Sequence, residues 1–354
     1  METRTEFSAF RKNQFRRDPI SGQWCIILNK TEDLSAFINN EQAHTRTVMT
    51  ATRYSVGNEK QTPPEIFAVR AADSKPNDVG WSVRVLPMTE PFLQIHGDLN
   101  LRGKGMYDLL DGIGAHELVI ESPRANMQWQ NMEDQQILNI LLAYQQRIID
   151  LKRDHRFRYI MVHKNYGNDS SELSSHPHTH IIGTPITPAR VKEKLTNYRK
   201  HYVYKERCLF CDIIFQELAD NERIVLQNEH FVTLTPFASR APFSMRIAPK
   251  KHETFFEWNE QFQSLVEILR ASLGKLAKVV KNPGYIMVLH TGPNIETGKE
   301  RGLWQTLEKD YHWHIEITPT FKTYTNFELG SGFQVNMVSP ERAAKILQTE
   351  NLDY

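Results

Sequence analysis

The pattern of apolar and polar positions along the chain predicts the same order of elements twice. Between 134 and 153, DQQILNILLAYQQRIIDLKR sets Ile137, Leu138, Leu141, Leu142, Ile148, Ile149 and Leu151 at spacings of three and four, the period of an amphipathic helix. FQSLVEILRASLGKLAKVV at 262–280 has the same period. Each helix follows an apolar run that ends on proline, at 117–123 and 245–249. Each precedes a segment opening Tyr-Ile-Met-Val, at 159 and at 285, and then a histidine-bearing run, HPHTHII at 176–182 and HWHIEI at 312–317. Both runs lead into a Thr-Pro, at 184–185 and 318–319. The repeated order is strand, helix, strand, loop, strand. It predicts an α+β fold made from a duplicated unit, mostly antiparallel sheet with helices packed on one face. The two halves are expected at 1–190 and 191–354, separated by the polar, proline-containing stretch 186–205.

Composition narrows the partners. The 354 residues carry 43 Lys+Arg against 42 Asp+Glu, a net charge of +1, so no excess of cations is available for a phosphate backbone or an anionic membrane surface. Neither nucleic acid nor membrane is expected as a partner. No stretch reaches the ~18 apolar residues of a membrane-crossing helix, and the first residues lack the apolar core of a secretory signal, so a cytoplasmic location is expected. Three cysteines, Cys25, Cys208 and Cys211, make no disulfide framework. The pair at 208 and 211 is spaced as Cys-x-x-Cys, which suggests metal or redox chemistry. No thioredoxin-like pattern surrounds it, which disfavours the redox reading. Cys25, in an apolar strand, reads as a small buried residue.

Alternate residues of a strand share a face, so the pattern sets His176, His178 and His180 in a row. Imidazoles are seldom clustered without a task. Two tasks fit this row: metal ligation, or attack on phosphorus by one imidazole while its neighbours orient it and meet charge. The preceding loop supplies Asn165, Gly167, Ser174 and Ser175, small groups suited to holding phosphate oxygens and equally at home in a surface turn.

The run His-Pro-His-x-His after Lys164-Asn165-Tyr166-Gly167 resembles the active-site strand of the galactose-1-phosphate uridylyltransferase branch of the histidine-triad superfamily. The resemblance extends from about 14 to 340. It includes RRDPISGQW at 16–24, Gly57-Asn58-Glu59 with Thr62-Pro63-Pro64-Glu65, Gly114-Ala115-His116-Glu117, Glu121-Ser122-Pro123 and Cys208-Leu209-Phe210-Cys211-Asp212. The last group, with PFASR at 236–240, PKKH at 249–252 and YHWHIE at 311–316, is similar to the sugar-nucleotide phosphorylases of that branch.

The resemblance implies a duplicated histidine-triad unit whose first copy holds the nucleophile. His178 would take a nucleoside monophosphate from a nucleotide sugar, and a sugar 1-phosphate or phosphate would then remove it. His176 and His180 would assist, and Asn165, Gly167, Ser174 and Ser175 would hold the substrate. A homodimer is implied as well. His180 stands where the transferases usually carry glutamine, and as in many histidine-triad hydrolases it could protonate a leaving group. A nucleotide hydrolase or phosphorylase, and a non-catalytic nucleotide-binding homologue, therefore stay open beside the transferase.

Cys208, Cys211, His252 and His312 make the ligand set of a closed tetrahedral Zn2+ site. A variant arrangement in the family would use His290, His312 and His314. In the first half, Thr52, Ser55 and Ala125 stand where relatives carry ligands and only His176 is kept, so no metal is expected there. The segment 29–33 lacks the family's arginines, and Met88 replaces a usual asparagine, so base and sugar identity do not follow from the resemblance.

Overall fold

The computed structural model describes residues 12–28, 51–167, 173, 175–280, 284–299, 303–321 and 325–349. Strands β1 (Gln14–Arg17) and β2 (Trp24–Ile27) form an N-terminal hairpin. The first repeat supplies β3 (Phe67–Arg70), β4 (Trp81–Pro87), β7 (Ala115–Ile120), β8 (Tyr159–Tyr166) and β9 (His178–Thr184), with a small hairpin, β5 (Arg102–Lys104) and β6 (Tyr107–Leu109), inserted after β4. The second repeat supplies β10 (Ile224–Gln227), β11 (Phe231–Leu234), β12 (Met245–Pro249), β13 (Gly284–His290) and β14 (His314–Thr320). Strand β15 (Gln334–Asn336) runs parallel to β2.

All ten repeat strands lie in one sheet, in the order β3-β4-β7-β9-β8-β13-β14-β12-β11-β10. Read from either edge to the centre the order is the same in both copies. They join where β8 pairs antiparallel with β13, Tyr166 opposite Tyr285 and Val162 opposite Leu289. The α+β architecture, the duplication and the antiparallel pairing are therefore as expected.

The register of the repeat is not. His180 and Glu316 each lie four residues after the first histidine of their run, and their partners across the strand are His163 and Val288. By that equivalence Tyr159 matches Gly284, and the two Tyr-Ile-Met-Val segments are offset by one residue. One residue along a strand is the other face of the sheet. Tyr285 and Met287 join the apolar core, as Ile160 and Val162 do, whereas the Tyr159 hydroxyl lies 3.5 Å from His290 Nδ1. The shared tetrapeptide marks the duplication but misplaces its residues.

Helices α1 (Asp134–Lys152) and α4 (Phe262–Val279) cover one face of the sheet, at the positions their periodicity predicts. Ile137, Leu141 and Ile148 from one, with Leu265, Leu269 and Leu276 from the other, bury together over both repeats. Each such side chain contributes roughly 2 kcal/mol. The stretch read as a polar boundary is instead largely a helix, α2 (Ala189–Lys205). Its composition hides this, because the buried face consists of Val191, Lys194 and Tyr198 and two of those three are polar. With α3 (Leu209–Asp220) it seals the opposite face of the second repeat, where Phe210 and Ile214 meet Val232, Leu234 and Ala248. That same face of the first repeat is covered by loop residues, Tyr54 and Leu173, packed on Trp81, Leu118 and Ile120. No described helix is long and apolar enough to cross a membrane.

Candidate active site and metal centre

Strand β9 begins at His178, not His176. His178 and His180 share a face, with ring centroids 5.2 Å apart and planes nearly perpendicular. His176 does not extend that row. It precedes the strand, is fully buried, and spends both ring nitrogens: Nε2–H donates to the Ser122 carbonyl (2.7 Å) and Nδ1 accepts from the Thr52 hydroxyl (2.9 Å). Pro177 breaks the alternation on which the row of three was read. Thr52 thus meets His176 with a hydroxyl at the position expected to have lost a ligand.

The His176 backbone holds its neighbour. His178 Nδ1–H donates to the His176 carbonyl at 2.8 Å, which fixes the tautomer and leaves the Nε2 lone pair without a partner among the described residues. Burial first, then the nearby Lys164 cation, pushes the His178 pKa down to about 4, so the ring is neutral at pH 7. A neutral imidazole with a free, oriented lone pair is a nucleophile.

Beneath β9, on the helix face, lies a buried carboxylate, Glu121, which the sequence alone marks only as part of Glu121-Ser122-Pro123. Glu121 accepts from Lys164 Nζ (2.6 Å), the Trp129 indole (2.8 Å) and the Thr179 hydroxyl (2.6 Å), with Tyr144 OH donating to Thr179 at 2.7 Å. Burial alone would raise its pKa, but the Lys164 ammonium and these donors hold it below the usual carboxylate range. Lys164 also donates to the His178 carbonyl at 3.1 Å. The network clamps the strand at His178 and Thr179. Its legible signal was an ionisable residue closing the apolar strand at 117–121, because a carboxylate is buried only with partners.

Two further histidines join His180. His116 Nε2 lies 3.0 Å from His180 Nδ1, and the His163 ring stacks on His180 at 5.1 Å and 13°. Asn165 is exposed on the same face of β8 as His163, and Gly167 turns the chain at φ 85°, a conformation that favours glycine. Ser175 is buried, its carbonyl accepting from the Asn126 amide. Ser174 and the segment 29–33 lie outside the described residues.

In the second copy His314 repeats the tautomer of His178, its Nδ1–H donating to the His312 carbonyl at 3.0 Å. Its Nε2 is not free. Lys194 Nζ lies 3.3 Å from it and 3.0 Å from Glu316 Oε1, Arg246 binds the same oxygen at 3.0 Å, and Phe210 stacks on the ring at 5.1 Å. His290, His314 and Glu316 bring ligand atoms within 4.8 Å of one another, but the Lys194 ammonium already meets two of the three.

The four residues expected to bind metal do converge. Ligand atoms of Cys208, Cys211, His252 and His312 lie within 4.8 Å of one another, with Cys211 Sγ 3.4 Å from Nδ1 of both histidines. The other ring nitrogens donate to backbone carbonyls, His252 Nε2 to Glu308 (3.0 Å) and His312 Nε2 to Pro249 (2.9 Å). Both Nδ1 lone pairs are thereby aimed at the thiols, the second-layer pattern of a metal site. His312 belongs to this group and not to the variant with His290 and His314.

No family model matches the chain. It is 28% identical over 344 residues, 96% of its own length and 93% of the relative's, to an ADP-glucose phosphorylase from Arabidopsis thaliana. It is 27% identical over 264 residues, covering 72% of this chain and 80% of the other, to a galactose-1-phosphate uridylyltransferase from Thermotoga maritima. Among solved structures, an Arabidopsis thaliana ADP-glucose phosphorylase with bound ADP-glucose superposes with a TM-score of 0.77 at 25% identity, over 97% of this chain and 100% of that one. These relatives and the duplicated sheet mark the chain as a homologue of the galactose-1-phosphate uridylyltransferases and of ADP-glucose phosphorylase in the histidine-triad superfamily, and they support nucleotidyl transfer as its chemistry.

Proposed function

We propose that the protein is a nucleotide-sugar phosphorylase acting through a nucleotidyl-His178 intermediate. The observation that carries the reading is the His178 Nδ1–H bond to the His176 carbonyl, which leaves Nε2 as the free nucleophile. Nε2 attacks the α-phosphorus of a nucleoside diphosphate sugar, the P–N bond forms, and the bond to the β-phosphate oxygen breaks with its electron pair leaving on sugar 1-phosphate. An oxygen of inorganic phosphate then attacks the same phosphorus, the P–N bond breaks, and His178 returns to its neutral form. The product is a nucleoside diphosphate. Asn165, Gly167, Ser174 and Ser175 hold the phosphoryl oxygens in this reading, and His180 donates to them. The relative aligned over nearly the whole chain is a phosphorylase of ADP-glucose, which favours adenine as the base and phosphate as the acceptor. A uridylyltransferase reading replaces phosphate by a second sugar 1-phosphate and keeps every other step.

Cys208, Cys211, His252 and His312 fit a structural Zn2+, with four protein ligands of the right softness and no open position. Bound there, such an ion would link the start of α3 to the segment at His312 that leads into β14, a structural role outside the reaction. We further propose a cytoplasmic homodimer.

The test is intact mass after incubation with ADP-glucose or UDP-glucose, beside His178→Ala. A gain of one nucleoside monophosphate in the native chain alone supports the reading and names the base. Release of that adduct by phosphate, but not by a sugar 1-phosphate, separates phosphorylase from uridylyltransferase. No adduct while the donors stay intact would sink both.

A further inference from the structure

We propose that His116 locks His180 as a hydrogen-bond donor that cannot serve as an acid, and so restricts the enzyme to donors whose leaving group departs as an anion without protonation. The inference rests on the reading of His178 as nucleophile and concerns what its neighbour can do.

The backbone N–H of Phe92 donates to His116 Nδ1 at 3.2 Å, and a peptide N–H can only donate. His116 Nδ1 is therefore an acceptor, so a neutral His116 carries its proton on Nε2. That Nε2–H points at His180 Nδ1, 3.0 Å away, which must accept. His180 in turn carries its proton on Nε2, where it has no partner among the described residues. Two stacked rings hold the chain in place: Phe92 lies on His116 at 4.8 Å and 26°, and His163 lies on His180.

Such a His180 gives a donor of fixed direction, as a glutamine amide would. It does not give an acid. To release the Nε2 proton the ring needs a replacement at Nδ1, which His116 could pass on only by drawing one from Phe92. A peptide N–H does not yield a proton near neutral pH, so the relay ends there. To become an imidazolium, His180 would need a second proton at a nitrogen that already faces the His116 N–H. Burial first, and then His178, His163, His116 and Lys164 around it, push its pKa down to about 3, in agreement.

Sugar 1-phosphate leaves as a stable anion and needs no proton. An amine leaving a nucleoside 5′-phosphoramidate does need one. The chain should therefore take adenylate from ADP-glucose and not from adenosine 5′-phosphoramidate.

The experiment is single-turnover adduct formation with both donors for the native chain, His116→Ala, His116→Gln, His180→Gln and the His116→Ala/His180→Gln pair. With ADP-glucose, His116→Ala lowers the rate about tenfold with little change in the concentration dependence, since His180 then presents the wrong nitrogen part of the time. His116→Gln, whose amide can donate to the same Nδ1, recovers most of that loss. In the His180→Gln background the His116→Ala loss disappears, because an amide donor needs no tautomer fixed. An equal loss in both backgrounds would make His116 a scaffold residue and overturn the inference. Adenylation by the phosphoramidate within about tenfold of the ADP-glucose rate would overturn it as well. Absence of an adduct from any donor in the native chain overturns the nucleophile reading too, an outcome distinct from these.

Discussion

Lys194 Nζ stands 3.3 Å from His314 Nε2, the nitrogen equivalent by position to the free Nε2 of His178. The two histidines have the same tautomer, fixed by the carbonyl two residues before each, yet one lone pair is open and the other accepts from a buried ammonium. Helix α2, which carries Lys194, covers the second copy, and loops cover the first. The duplication thus holds one copy whose imidazole nitrogen is open among the described residues and one whose nitrogen is capped.

Replacing Lys194 by Met removes this cap and leaves Glu316 with Arg246 and His290. The expected result is a loss of stability on the order of 2–3 kcal/mol, because one member of a buried ion pair is removed, while the nucleotidyl adduct still maps to His178. Chemical denaturation and peptide mapping of the adduct check the two halves of the statement. Loss of the adduct with stability unchanged would contradict it.

Glu121→Gln should be more damaging. It puts an amide among three donors and strands the Lys164 ammonium, buried against the His178 carbonyl. A loss of roughly 3–5 kcal/mol is expected, read as a lower midpoint in urea. Lys164→Met/Glu121→Gln should recover part of the loss, since no charge is then left buried alone.

Acid should unfold the protein earlier than it disables the nucleophile. Burial pushes the pKa of His163, His178 and His290 down to about 4, against about 6.5 in an unfolded chain. Below pH 6.5 the unfolded chain binds protons that the folded one does not, so stability is fully present above 6.5 and falls as pH drops toward 4. Urea midpoints at pH 8, 6.5 and 5 measure this. The rate of adduct formation should show no inflection near 6.5 while the fold persists.

Thr52→Val removes the hydroxyl that donates to the buried His176 Nδ1. The expected cost is about 1–2 kcal/mol in thermal or urea unfolding. A neutral effect would mean that the Thr52 hydroxyl does not replace a ligand in holding that loop.

On the proposed zinc, elemental analysis should find one ion per chain, and Cys208→Ser should lower both metal content and melting temperature. Full metal content in that variant would refute the assignment.

Local sequence already carries the duplication, the two long helices and the grouping of Cys208, Cys211, His252 and His312. Those features rest on local periodicity and on residue types with few alternative uses, such as Cys-x-x-Cys with two distant histidines. It also singled out the histidine run at 176–180, because imidazoles are costly to cluster, while the choice of His178 within that run came from the family resemblance. Tertiary structure decided the rest. The one-residue offset between Tyr159 and Tyr285 depends on which strand each pairs with, and pairing energy lies between segments distant in the chain. Helix α2 could not be read from its polar composition, since the groups that meet the buried Lys194, Glu316 and His314, lie on β14, distant in the chain. The separation of His176 from His178 and His180 follows from contacts with Thr52 and Ser122, and the direction of the His180 proton is set by Phe92 and His116. Tautomers, ion pairs and register are properties of neighbours in space, so only the folded chain fixes them.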